Sequence, residues 1–232
     1  MRETRFLLAG AVLISGCATA MPGPVIPVAL QPVTAAQVQG WVQSTKVTER
    51  RLIRFGWQFH NPREGTVGGK GSVQIAVPDS LRFDYRGTLG MGRGAAVVIG
   101  DSAHWAQPED QFKKLVPNYS LLWAMLGVAR DPKSGDQLAG LDNETITAWR
   151  YVDGADTVEY ARTKLAPMQL VADVREGGKR IGRVVTTFNE QGQPVKSQLD
   201  VPAGQARLTL KFTLFSTPKP FDPEIWHAPI DN

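Results

Sequence analysis

Three histidines, one cysteine and a few glycine- and aspartate-rich turns are the residues of this 232-residue chain whose chemistry could go beyond packing. His60, His104 and His227 are far apart in sequence, and none stands at a metal-ligating spacing such as His-x-x-x-His. They read as surface or strand-end side chains. No Gly-x-Ser-x-Gly elbow is present, so a serine nucleophile lacks its turn. Gly90-Met91-Gly92-Arg93-Gly94 has the glycines of a phosphate loop without the Lys-Ser/Thr ending or the strand-to-helix setting. Asp131-Pro132-Lys133-Ser134-Gly135-Asp136 has calcium-loop residue types without the ligand spacing and reads as a turn. No enzymatic activity, metal or cofactor is expected.

The cysteine carries the most information. Arg2 and Arg5 precede an apolar run from Phe6 to Ile14, followed by Ser15-Gly16-Cys17-Ala18, the layout of a signal peptide. The run is too short for a permanent span, which needs roughly 20 apolar residues. Ile14-Ser15-Gly16-Cys17 resembles a bacterial lipobox, where the leader is cut and the cysteine is acylated. The alternative is an ordinary secretory cut near Ala18-Thr19-Ala20 that discards Cys17. With the lipobox reading, residues 1–16 leave, and the loss of Arg2, Glu3 and Arg5 takes the formal net charge from +4 to +3. Acyl chains on Cys17 would hold the protein on a membrane, each buried CH₂ contributing ~0.8 kcal/mol. A single cysteine also excludes an intramolecular disulfide framework. Residues 17–34, with Pro22, Pro24, Pro27 and Pro32, read as an extended tether, 35–226 as one domain and 227–232 as a tail. The basic residues are dispersed with no run of four, so nucleic-acid binding is not expected.

The elements that must position these residues are mostly strands. Thr34 is placed to cap a short helix in which Val38, Trp41 and Val42 share one face. Alternation of period two follows: Ile53, Phe55, Trp57 and Phe59; after a glycine-rich turn at 65–71, Val73, Ile75 and Val77; then Leu81, Phe83 and Tyr85. Further strands are expected at 95–100, 102–106, 145–151, 157–161, 168–175, 179–188, 194–201 and 206–216. About eleven short strands with one apolar face each make a mainly β, antiparallel α+β sheet. Residues 108–130 break the alternation and predict a helix near 110–115, a break at Pro117 and an apolar helix at 119–128 that covers the sheet.

This order of elements resembles the lipoprotein-localisation (LolA/LolB) family, from Trp41 to about Pro223. The more local resemblances are Ser80-Leu81-Arg82-Phe83-Asp84-Tyr85-Arg86-Gly87-Thr88-Leu89-Gly90, similar to a family strand that ends in a Pro-Leu-Gly loop, and the helix-proline-helix stretch Pro108 to Val128. The lipobox places the chain nearer the membrane-anchored LolB branch. The resemblance implies an unclosed antiparallel half-barrel with a helical lid over a hydrophobic cavity, and a monomer. Phe55, Trp57, Phe59, Val73, Ile75, Phe83, Tyr85, Leu122, Met125 and Leu126 would line that cavity, or fill it as an ordinary core. It further implies acyl chains of lipoproteins or another lipid as ligand, and a LolA-like carrier as partner. Leu89 matches the family's exposed loop leucine, and Leu89 and Met91, flanked by glycines, are candidates for insertion into a membrane or cargo. Ala18 stands after the cysteine where Gram-negative lipoproteins kept in the inner membrane tend to have aspartate, so the lipobox resemblance implies the outer membrane, on its periplasmic face. An assembly or scaffold lipoprotein that keeps the fold with a filled cavity is the alternative.

Overall fold

The computed structural model describes residues 24–27, 29–88 and 92–227. In chain order it comprises β1 (Gln31–Pro32), α1 (Ala35–Gln43), β2 (Arg51–Asn61), β3 (Gly65–Ala76), β4 (Ser80–Gly87), β5 (Arg93–Ile99), β6 (Ser102–Gln107), α2 (Glu109–Leu115) and α3 (Tyr119–Met125). It continues with β7 (Gln137–Asp142), β8 (Ile146–Asp153), β9 (Asp156–Thr163), β10 (Gln169–Glu176), β11 (Lys179–Phe188), β12 (Pro194–Val201) and β13 (Ala206–Ser216). Thr34 caps α1 as expected, and Gln37 completes a reciprocal capping box.

Period-two alternation with one greasy face allows each strand to pair with its sequence neighbour through a short turn, and the strands form two meanders, β2 to β6 and β7 to β13. They join where β13 pairs antiparallel with β2, giving one sheet ordered β1-β7-β8-β9-β10-β11-β12-β13-β2-β3-β4-β5-β6. β6 and β1 remain as edges that do not meet, so the antiparallel sheet is open. The chain must travel from one edge, β6, to the far side, β7. That crossover contains α2 and α3, and its apolar sequence takes it across the greasy face: every residue from Leu121 to Ala129 is buried. The lid is therefore a topological necessity of the open sheet.

Three expectations change. The eleven strands become thirteen: β1 and β7 were not foreseen, because Gln137-Leu138-Ala139-Gly140-Leu141-Asp142 lacks β-branched and aromatic residues. The glycine stretch 65–71, expected as a turn, is the first half of β3, and the turn is only residues 62–64. A Cβ at Gly71 would run into the Phe55 ring, and one at Gly94 would lie 2.5 Å from the Tyr85 ring. These glycines let aromatic rings from the neighbouring strand lie across the sheet, a close approach that outweighs glycine's poor strand propensity. Finally, the expected tether is docked from Pro24 onward: Ile26 is buried on Ala148, Ala161 and Val171, the Pro24 carbonyl accepts from Arg183 at 2.7 Å, and β1 pairs with β7. Cys17 and the leader lie outside the described residues.

Candidate functional site

Alternation and register put seven of the ten residues expected at the cavity on the inner face of the sheet, and Leu122, Met125 and Leu126 of the α3 region join them in one apolar cluster. Phe55, Val73, Ile75, Phe83, Tyr85, Leu122, Met125 and Leu126 are buried, while Trp57 and Phe59 are half-buried and pack against them. Phe55 meets Phe83 at 5.2 Å between ring centroids, and Trp57 meets Tyr85 edge-on at 5.9 Å. Phe83 meets Phe112 of α2 at 6.0 Å. These offset and edge contacts suit aromatic quadrupoles. The inner face beneath the lid is filled with side chains. Leu89 and Met91 lie outside the described residues; the β4–β5 hairpin is closed by Gly87 N–H donating to the Gly92 carbonyl at 2.9 Å.

One polar group in this cluster has no partner. The Tyr85 hydroxyl is buried without a hydrogen bond, and burial pushes its pKa above the ordinary tyrosine value. Such a group costs free energy unless something else satisfies it.

The lid is pinned by polar contacts that sequence reading missed. Thr186 on β11 donates to the Ala124 carbonyl in the last turn of α3 at 2.7 Å, and its hydroxyl meets Ser197 of β12 at 2.8 Å, all three out of solvent. The Trp123 indole donates to the Gly100 carbonyl at 3.0 Å. Arg130, just past α3, stacks on Trp123 at 5.2 Å and pairs with Asp101 at 2.8 Å. Its backbone N–H donates to the Tyr160 hydroxyl at 3.2 Å, and its carbonyl accepts from Tyr151 at 3.0 Å. Burial pushes the Tyr160 pKa up to about 12 and raises that of Tyr151 as well. Arg162, in the apolar phase of β9, donates to the Ser44 carbonyl at 3.0 Å and so ties the C-terminal end of α1 to the inner face. For Thr186, Ser197 and Arg162 the signal was available as polar residues where alternation demands apolar ones.

Three open concavities stand out, and α3 lines none of them. One of about 390 Å³ lies between α1 and β8–β9, beside Trp41 and Trp149. One of about 460 Å³ lies on the outer face beside Val25 and Ile26, over Asp173 and its arginines. The third, of about 1000 Å³, is lined by Arg54, Lys70, Arg86 and Arg93 among others.

The histidines are not brought together for catalysis: His60 is on β2, where Nδ1 is 2.8 Å from Thr66 Oγ1, His104 is on β6 and His227 follows the last helical turn. Among the described residues no group of three or more His, Cys, Asp or Glu side chains could hold a metal ion, and no helix is long and apolar enough to cross a membrane.

With this geometry in view, the comparisons with known proteins divide sharply. The fold is similar to a LolA superfamily protein from Nitrosomonas europaea. The TM-score is 0.55 over 84% of this chain and 98% of that one, at 10% identity. So low an identity carries the fold alone. A DUF1329 family protein from Desulfovibrio piger also aligns, over 85% of this chain and 98% of that one, with 8% identity and a TM-score of 0.36, too low to support any argument. No family model matches the chain. By sequence, 76 residues are 33% identical to formate–tetrahydrofolate ligases of Aliivibrio salmonicida and Aliivibrio fischeri. That stretch is 33% of this chain and only 14% and 13% of those enzymes, and brings no activity with it.

Proposed function

We propose that the protein is a non-enzymatic envelope lipoprotein, held on the periplasmic face of the outer membrane by acylated Cys17, that binds acyl chains of lipoproteins or other lipids and helps deliver them to that membrane. The Tyr85 hydroxyl carries the reading: a single unpartnered donor at the aromatic end of an apolar face is the arrangement that takes an apolar chain with one polar head. The chain would lie along half-buried Trp57, Phe59 and Phe212, with its carbonyl oxygen accepting from Tyr85. Leu89 and Met91 would touch the membrane or cargo, and a LolA-like carrier would supply the cargo to this monomer. The LolA-superfamily fold supports the architecture of such a carrier. No cofactor takes part.

The test is displacement of a fluorescent fatty acid from the purified chain carrying Cys17→Ser. Saturable binding that weakens in Tyr85→Phe and Trp57→Ala is expected. Absence of saturable binding sinks the reading. A second reading, a scaffold lipoprotein with a filled cavity, is favoured by the burial of eight of the ten inner-face residues. It requires no probe binding and an unchanged lipoprotein distribution in a Leu89→Glu strain.

A further inference from the structure

The outer face of the sheet divides into two electrostatic regimes that the strand register makes plain. Across β8 to β13 one cross-strand row reads Arg150, Glu159, Asp173, Arg183, Asp200, Arg207. Three cations face three acids. Arg150 pairs with Glu159, Arg207 Nε is 2.7 Å from Asp200, and Asp173, only 1% exposed, has Arg180 Nε at 2.8 Å and Arg183 Nη1 at 3.6 Å.

Another row on the same outer face crosses β12, β13, β2, β3, β4 and β5 and reads Lys196, Lys211, Gly56, Lys70, Arg86, Arg93. It holds five cations and no acid. All five side chains are exposed, and among the described residues none has a hydrogen bond or ion pair. Like charges directly opposite on neighbouring strands destabilise a sheet. The nearest acid on the flanking row, Asp84, is already held by Arg82 through three hydrogen bonds of 3.0–3.1 Å, and Arg54 in that row adds a further exposed cation. At one end the row runs into the concavity of about 1000 Å³. In sequence the five cations are scattered between residues 70 and 211, so no charge run discloses them, and only the register lines them up.

We propose that this stripe is a docking surface for the anionic headgroups of a phospholipid bilayer. Six strands set about 4.8 Å apart make a row roughly 24 Å long, which spans several headgroups, whereas a single small anion would touch only two of its cations. A bilayer is favoured over a soluble polyanion because the sequence between Arg86 and Arg93 carries the apolar pair Leu89 and Met91. The large aromatic residues of β2 that could stack bases are on the other face. The proposal takes from the envelope reading only the choice of a lipid, and is independent of acyl binding on the inner face.

The test is co-sedimentation of the mature chain from residue 18 onward, which has neither the apolar leader nor an acyl anchor, with vesicles of phosphatidylcholine alone or mixed with phosphatidylglycerol. Each cation near an anionic surface contributes about a fivefold change in affinity. Binding should therefore need phosphatidylglycerol, weaken with added salt, and fall on the order of a hundredfold in Lys70→Gln/Arg86→Gln/Arg93→Gln. Lys133→Gln/Lys179→Gln/Lys219→Gln, which removes the same charge elsewhere, should bind as the parent does. Equal loss in both triple variants, salt-insensitive binding, or equal binding to both vesicle types overturns the proposal. Competition by millimolar inorganic phosphate, or preference for an oligonucleotide over the vesicles, would mean a different anion and also overturns it. Fatty-acid probe binding measured on the same variants separates this outcome from that of the acyl-chain reading.

Discussion

Thr186→Val is the sharpest probe of how the crossover helices are held. The substitution keeps the volume and β-branching but removes a hydroxyl that is wholly out of solvent. Two contacts disappear: donation to the Ala124 carbonyl at 2.7 Å and the 2.8 Å contact with Ser197. The Ala124 carbonyl still accepts from Gly127 N–H at 3.0 Å, so the loss falls mainly on the Ser197 hydroxyl, left buried without a partner. An orphaned buried hydroxyl costs about 1–3 kcal/mol, which for a domain of this size lowers the melting temperature by about 2–4 °C per kcal/mol. Removing both partners together is close to neutral, so Thr186→Val/Ser197→Ala should recover much of the loss. Equilibrium urea unfolding of the four proteins closes the cycle, with an expected coupling of about 1 kcal/mol. Additive single effects, or a Thr186→Val cost below about 0.5 kcal/mol, would refute the claim that this buried pair secures α3.

Tyr85→Phe should hold or raise stability by up to about 1 kcal/mol, since it deletes an unsatisfied hydroxyl, while weakening fatty-acid binding up to about tenfold; loss of both stability and binding would mean the hydroxyl already has a partner. Gly71→Val places a side chain against Phe55 and the Asp84 carbonyl and should destabilise by about 1–3 kcal/mol in thermal unfolding. Asp173→Asn leaves Arg175, Arg180 and Arg183 without their shared acid and should cost about 1–2 kcal/mol, less at high salt, in urea unfolding. In alkaline titrations followed by circular dichroism, stability should be intact below pH 10 and fall between there and pH 12. The unfolded Tyr160 ionises near 10 whereas the folded one holds its proton to about 12, so the unfolded state binds fewer protons in that window. Tyr160→Phe should flatten that fall.

How much of this was legible in the chain depended on whether one force dominated locally. Ile53 to Phe59, Leu81 to Tyr85 and Leu208 to Leu214 disclose both strand and facing, because burial of large apolar side chains at period two has no rival there. β7 and the glycine half of β3 were hidden, since their strands are recruited by neighbours: Gly71 is a strand residue because Phe55 needs the space above it. Alternation set the facing of Phe55, Trp57, Phe59, Val73, Ile75, Phe83 and Tyr85, whereas whether side chains fill the space above them depended on the depth of α3, which no periodicity encodes. Thr186, Ser197 and Arg162 stood out only as polar residues in an apolar phase. The cationic row was invisible because register, which sets Lys211 and Lys70 on either side of Gly56 although they are 141 positions apart in the chain, is a property of pairing and not of the linear sequence.

The crossover from β6 to β7 has a mechanical meaning. A sheet with two unjoined edges would relax toward whatever curvature its twist prefers, but here residues 108–136 connect one edge strand to the strand beside the other, and press on the concave side between. They act as a strap across the bow, held to the sheet where Thr186, Arg130 and Trp123 make their contacts. The room available on the inner face thus depends on how deeply a connection of 29 residues is seated as much as on the side chains of the strands.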